Sequence, residues 1–490
     1  MTGAYHCGPV PGKIDSRPEA YFFIIADRLK GRPDAGDLAL TRAKKSYPKL
    51  IIMLTVFLTV GVVFPTWAAD YQALSLEDCL ALAREHNPVL GASREKVREM
   101  VADYKAARSK FFPKLTLLSY YQRLEPNRLS PGGAATRQDL FSQEGLASLT
   151  GKQLVFDGLT TYHNTKAAAL GKKAQQQEVA RTADEVAYQV TEAFYRLMQA
   201  KADLLVAQKA LRERREFLEL TEAFFQAGKI TRVDAFKARS QMLEAEQGQV
   251  EAENAVRLAR EILARTLGLE DKDPIDIRGR LPEKFTPAGD FNALWTQAQE
   301  ANPELKRLKL ELAQSQALIK AARGGYFPEI NLQGALGMRS RDVGGRKEEY
   351  LAGVFLEYPF FEGGLTRAQV TKAASQYHQL LEKQRERLDD LRVDLMNGWK
   401  TQEDGRKGVE ASRQNVIASQ EAYQSALALF RVGKATGLDV LTAEVELTRA
   451  RLGLIGYQVA YEVGRAKVQQ VMGGGAPEAE SLRSRQGEGK

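Results

Sequence analysis

The chain is short of the residues that build metal, redox and hydrolytic sites. It carries two cysteines, Cys7 and Cys79, and four histidines, His6, His86, His163 and His378. No Cys-x-x-Cys or His-x-x-x-His spacing occurs among them, which argues against a zinc module and a disulfide framework. Glycine-rich phosphate loops, nucleophile elbows and convergent Ser/His/Asp sets are also missing, so the chain reads as a non-enzyme without cofactor or metal. Its net charge of +8 comes without a basic patch interleaved with aromatics, and nucleic acid is not an expected partner. Long apolar runs are scarce. The one that stands out, Leu50–Phe64, follows Lys44, Lys45 and Lys49 and precedes small residues suited to cleavage after Ala68 or Ala69. That order is a secretory signal, and the run is short for a membrane span, although an uncleaved inner-membrane anchor is the alternative reading. The residues ahead of it exceed what a signal needs, which fits a start codon assigned too far upstream. Cys79, in "LEDCLALA", lies past the cleavage site and reads as a small apolar residue on a helix face.

Proline is absent from Thr160 to Asp273 and again from Phe360 to Ala476. Such spans are very long for globular helices, which average three or four turns. Around them the sequence repeats itself. "EHNPVLGASREKV" (Glu85–Val97) matches "EANPELKRLKLEL" (Glu300–Leu312), and "FFPKLTL" (Phe111–Leu117) matches "YFPEINL" (Tyr326–Leu332). "VFDGLT" (Val155–Thr160) answers "FFEGGLT" (Phe360–Thr366), and "GKITRVD" answers "GKATGLD". Each half therefore has a short helix, Asn-Pro opening a second helix at Pro88 or Pro303, Phe-Pro stopping it at Pro113 or Pro328, an extended region, and a long helical stretch. His86 beside Asn87-Pro88 has Ala301 as its counterpart, which weighs against a catalytic role.

The extended regions read as hairpins. Ile330, Leu332, Gly334, Leu336 and Met338 alternate with Asn331, Gln333, Ala335 and Gly337; Tyr350, Ala352, Val354, Leu356 and Tyr358 share a face of the partner strand. Arg339–Glu349 is expected to be a polar loop between them. One apolar face and one small or polar face is the pattern of a strand between lipid and water. The first half is weaker, because "KLTLLSYYQRL" is apolar on both faces and Lys152 falls mid-strand. A small soluble antiparallel sheet is the alternative.

A 4,3,4,3 seam runs through Leu441, Val445, Thr448, Leu452, Ile455 and Val459, and another through Ala238, Met242, Ala245, Gln249, Ala252, Val256, Ala259 and Leu263. This is the spacing of coiled-coil packing. The Gly-x-x-Thr-x-x-Asp motif explains how such rods reverse. Gly228 and Gly433 end one helix in a left-handed conformation, Thr231 and Thr436 cap the next, and Asp234 and Asp439 face its positive end. Two copies make two helical hairpins with level tips, far from the strands. "MNGWKTQEDGRKG" (Met396–Gly408) interrupts the second long helix with three glycines, read as a bend or as simple tolerance. Four strands cannot close a barrel; three chains give twelve strands around a water-filled lumen and twelve rods beneath it.

These duplicated signatures resemble the TolC-type outer-membrane efflux proteins, over about Leu74 to Gly473. The resemblance implies a mostly α fold with a small membrane β region, built as a trimeric 12-stranded β-barrel continued by a 12-helix α-barrel tunnel. It implies an exit duct for tripartite efflux or type I secretion, in outer-membrane lipid, working with a periplasmic adaptor and an inner-membrane pump. Gly228, Thr231, Gly433 and Thr436 would form the adaptor-docking tips. Asp439, with Asp234 at the neighbouring tip, would form the acidic aperture. Thr442 stands where the family's best-known member has a second aspartate, and Ala435 where it has an arginine latch, so closure by the same salt bridges is not expected. A pore-free periplasmic coiled-coil scaffold or a pump adaptor is the alternative function. The expected organisation is an N-terminal extension with signal at 1–69, repeats at 70–285 and 286–473, and a tail at 474–490. The β-hairpins are expected at about 113–158 and 328–362, and the helical hairpins at about 160–268 and 364–472.

Overall fold

The computed structural model describes residues 74–123, 143–269, 275–341 and 345–474. The expected signal and extension, and the tail beyond Gly474, lie outside the described residues. Short helix α1 (Leu76–His86) is opened by a Ser75–Asp78 capping box and leads to α2 (Pro88–Ser109). Strands β1 (Lys114–Arg123) and β2 (Gln143–Asp157) follow, then α3 (Thr160–Gln226) and α4 (Arg232–Leu267). The second half repeats the order with α5 (Phe291–Ala301), α6 (Pro303–Arg323), β3 (Glu329–Arg341), β4 (Gly345–Glu357), α7 (Leu365–Arg431) and α8 (Gly437–Met472). The halves match in length as well: α3 and α7 each have 67 residues, and α4 and α8 each have 36. Among the described residues no helix is both long and apolar enough to cross a membrane.

The strands form one antiparallel sheet in the order β1-β2-β3-β4. Its register aligns Ile330 with Leu356, Leu332 with Val354, Gly334 with Ala352 and Leu336 with Tyr350, which gathers the apolar positions of β3 and β4 on one face. Leu149 is opposite both Leu117 and Leu336, so the first half adds to that face. Lys152 pairs with Gln333 and lies 3.7 Å from Glu329, on the polar face, which accounts for a charge in mid-strand. The expected loop is shorter than Arg339–Glu349: pairing continues through Met338 with Glu348 and Arg339 with Lys347. Charged side chains at exposed strand ends cost the ladder nothing, so polarity marked the loop poorly.

Below the sheet the helices lie in a row. Near the strands α2, α3, α6 and α7 pack in that order; toward the far end the order is α4, α3, α8, α7. α2 continues the line of α4, and α6 that of α8, through the Asn-Pro motifs. Asn87 Oδ1 accepts the Val89 and Leu90 N–H groups while its Nδ2 donates to the Thr266 carbonyl at 2.8 Å. Asn302 caps Glu304 and Leu305 and donates to Val471, also at 2.8 Å. Each asparagine thus splices the start of one helix onto the end of another, satisfying orphan groups of both.

The seam expected on α4 is buried at Ala238, Ala245, Val256 and Leu263. The one expected on α8 holds at Val459, which is buried, but is displaced nearer the tip: Val440, Glu444, Leu447 and Ala450 are buried, whereas Leu452 is 39 % exposed. A buried carboxylate occupies the seam because Arg214 of α3 reaches Glu444 at 2.8 Å. α7 runs unbroken through the three glycines, and α8 explains them. A Cβ at Gly405 would stand 2.7 Å from the Tyr461 backbone nitrogen, and one at Gly408 would stand 2.3 Å from the Tyr457 ring. The glycines let two helix backbones approach closely, with Gly464 of α8 answering against Gln402.

Candidate functional site

The two hairpin tips are the same local structure made twice. Gly228 (φ +70°) donates to Phe225 at 2.9 Å and Lys229 to Phe224 at 2.9 Å; Gly433 (φ +72°) donates to Phe430 at 3.0 Å and Lys434 to Leu429 at 2.9 Å. This closes the C-termini of α3 and α7 through a left-handed residue. Nothing lies within 4 Å of a Cβ built at either glycine, so the backbone conformation, not space, demands it.

Three residues on, each threonine caps its helix. The Thr231 hydroxyl donates to Asp234 Oδ2 at 2.7 Å, and the Asp234 N–H returns to Thr231 Oγ1 at 3.3 Å. At the second tip the Thr436 hydroxyl and N–H each reach Asp439 Oδ2 at 2.7 Å, and the Asp439 N–H reaches Thr436 Oγ1 at 3.2 Å. Those Thr436 hydrogen bonds hold the exposed Asp439 carboxyl below its ordinary range. Thr442 is exposed one turn further along α8. Asp234 is the only carboxylate between Glu222 and Glu244, and Asp439 the only one between Glu421 and Glu444. Around them stand Lys229, Arg232, Lys237, Arg431 and Lys434. The tips also expose apolar side chains: Val233 is 60 %, Phe236 54 %, Val432 67 % and Leu438 65 % exposed.

The tips are held together from behind. Phe430 of α7 stacks on Phe224 at 5.5 Å and meets Phe217 at 5.2 Å, in a cluster that buries Ala238, Val440 and Leu447. Above it two largely buried ion pairs cross between the hairpins, Arg214 with Glu444 and Arg451 with Glu213 at 3.2 Å. Sequence reasoning missed these pairs. Their partners are more than two hundred residues apart, so no local pattern announces them.

The row of helices under a four-stranded sheet, in two repeated halves, is the architecture of an outer-membrane efflux channel. Residues 79–269 and 294–474 match the family described as "Outer membrane efflux protein", and the chain belongs to that family, one of channels and not of enzymes. Among relatives, the outer membrane efflux protein BepC of Brucella suis biovar 1 (strain 1330) is 25 % identical over 391 residues, covering 78 % of this chain and 81 % of that protein. The outer membrane protein TolC of Escherichia coli (strain K12) is 23 % identical over 437 residues, covering 84 % and 85 %. Among solved structures, the Campylobacter jejuni CmeC outer membrane channel superposes with a TM-score of 0.74 at 16 % identity, over 93 % of this chain and 96 % of that one.

Proposed function

We propose that the chain is the exit duct of a tripartite pump, assembled as a homotrimer and gated at its helical tips. The observation that carries this reading is that sheet and helix row are open at the same two flanks. Among the described residues β1 and β4 are the edges of the sheet, and α2, α4 and α7 are the outermost rods below them, each packed on one side only. An open sheet with an apolar face is not viable in a bilayer. Three copies, joined flank to flank, make twelve strands enclosing a lumen and twelve rods continuing it. In this reading residues 1–69 hold a removable signal, 70–285 and 286–473 are the two repeats of the wall, and 474–490 is a tail.

The tips would then meet a periplasmic adaptor that links the duct to an inner-membrane pump. Gly228, Thr231, Gly433 and Thr436 shape the docking surface, and the exposed Val233, Phe236, Val432 and Leu438 supply apolar area for it. Asp439 and Asp234, the lone carboxylates of their tips, form the aperture together with Thr442. The test is single-channel conductance of the purified protein in planar bilayers, beside Asp439→Ala. Discrete cation-selective openings that lose selectivity in the variant are expected. Folded trimers that never open would overturn the duct in favour of a scaffold, and openings unchanged in the variant would reduce Asp439 to a helix cap.

A further inference from the structure

The four helices that adjoin the sheet share a charge pattern at that end. Residues 104–113 of α2 and its exit, 158–177 at the start of α3, 312–328 at the end of α6, and 363–381 at the start of α7 contain no Asp or Glu. The same four stretches carry ten lysines and arginines. Just beyond them the helices return to paired charges, such as Glu178 with Arg181 at 2.8 Å and Glu382 with Arg385 at 2.9 Å. All four stretches meet the sheet, so they stack at one level and make a basic collar directly under it.

The outward part of this collar can be identified. Thr161 and Asn164 line the cavity on the polar face of the sheet, together with Lys110 and Lys114. Tyr162 and Lys166 lie on the other side of α3 by helical phase, and both are exposed. Lys166 is six residues into α3, about 9 Å from its start at about 1.5 Å per residue. Lys320 and Arg323 are in the last turn of α6, and Arg367 is in the first turn of α7, all exposed. Lys166 and Lys320 act together on His163 between them: after burial, their charges are what hold its imidazole below the usual range. Among the described residues no carboxylate lies in ion-pair range of Lys166, Lys320 or Arg367. Where the collar meets the sheet stands an exposed aromatic belt, with Tyr326 50 %, Tyr358 54 % and Phe360 88 % exposed.

We infer that this collar binds the anionic headgroups of phospholipids in the leaflet facing the helices. The inference rests on the sheet being the membrane-embedded part. Aromatic side chains beside an apolar strand face mark the depth of the membrane interface. Lysines and arginines within two turns of it reach the phosphate layer, where each cation adds affinity for an anionic surface. What sets this level apart is that all four helices meeting the sheet exclude carboxylates there at once, although mixed charges would keep a water-facing surface equally soluble. Lipid contact gives the exclusion a cause, because a carboxylate at that level would repel the headgroups.

The test is electron paramagnetic resonance of the full-length protein in phosphatidylcholine vesicles with trace spin-labelled phosphatidylglycerol or spin-labelled phosphatidylcholine. The motionally restricted fraction of either label reports that the sheet is in the bilayer; the ratio between labels reports the collar. Wild type should prefer phosphatidylglycerol by about three- to tenfold at low salt, falling as salt rises. Lys166→Gln/Lys320→Gln/Arg367→Gln should bring the ratio near one while keeping the restricted fraction and the helical circular dichroism. Equal association of both labels with wild type overturns the inference, as does a preference untouched by the triple variant. A preference lost instead in Lys110→Gln/Lys114→Gln would assign it to anions on the lumen side and overturn it too. No restricted lipid at all would remove the membrane reading of the sheet.

Discussion

Asn302 gives its side-chain N–H to the carbonyl of Val471 at 2.8 Å, as Asn87 does to Thr266 in the other half. One amide thereby ends α8 and starts α6. Asn302→Ala should cost about 1–3 kcal/mol, the sum of a lost cap and a buried carbonyl left without its donor. Asn302→Ser keeps the cap alone and should fall between. Thermal unfolding followed by circular dichroism in detergent reads the order.

Glu444 is 3 % exposed and Arg214 12 % exposed at the side chain, so neither can fall back on water. Glu444→Gln should destabilise the protein by about 3–5 kcal/mol, because it strands a buried guanidinium. Arg214→Met/Glu444→Leu should recover most of that loss, since an apolar pair of similar volume does not have to be desolvated. A double variant as unstable as the single one would contradict this account.

Two glycine-to-alanine changes should act with opposite sign. At Gly405 the new methyl meets the Tyr461 backbone, and α7 must move away from α8, at about 1–3 kcal/mol. At Gly248, mid-α4 with nothing within 4 Å of the Cβ position, alanine should stabilise by about 0.5–1 kcal/mol. Denaturation midpoints measured side by side decide it.

Asp203 has a buried oxygen with no hydrogen-bond partner, and burial pushes its carboxyl up to about 6. The folded chain therefore holds that proton more tightly than the unfolded chain, whose carboxyl titrates near 4. The resulting stability is fully present below about pH 4 and is lost as pH rises through about 6. Asp203→Asn should flatten that slope and raise stability near neutral pH by roughly 1 kcal/mol, after allowance for solvent screening. Unfolding midpoints from pH 4 to 8 would show a parallel slope in both proteins if the account were wrong.

What could be read from the sequence was whatever is local. The capping boxes at Thr231 and Thr436 need only seven consecutive residues, and the faces of β3 and β4 only strict alternation. What could not be read depended on partners across the fold. Near the tip the seam of α8 looked apolar one residue away from its true course, because Glu444 belongs to it only when Arg214 is present. The glycines of α7 had no visible purpose until Tyr461 and Tyr457 were set against them. In the Asn-Pro motifs proline announced a helix start, while the asparagine's second hydrogen bond stayed hidden.

The paired lengths of the helices act as a ruler. Seven residues added to α3 alone would lengthen it by about 10 Å. That tip would stand proud of the other, the Phe430 stack on Phe224 would break, and the Arg214 and Glu213 pairs would fall out of register. Reach can therefore change only when both limbs of both hairpins change together, by the same amount and in whole turns of the seam. A protein built this way drifts easily in sequence and hardly at all in length.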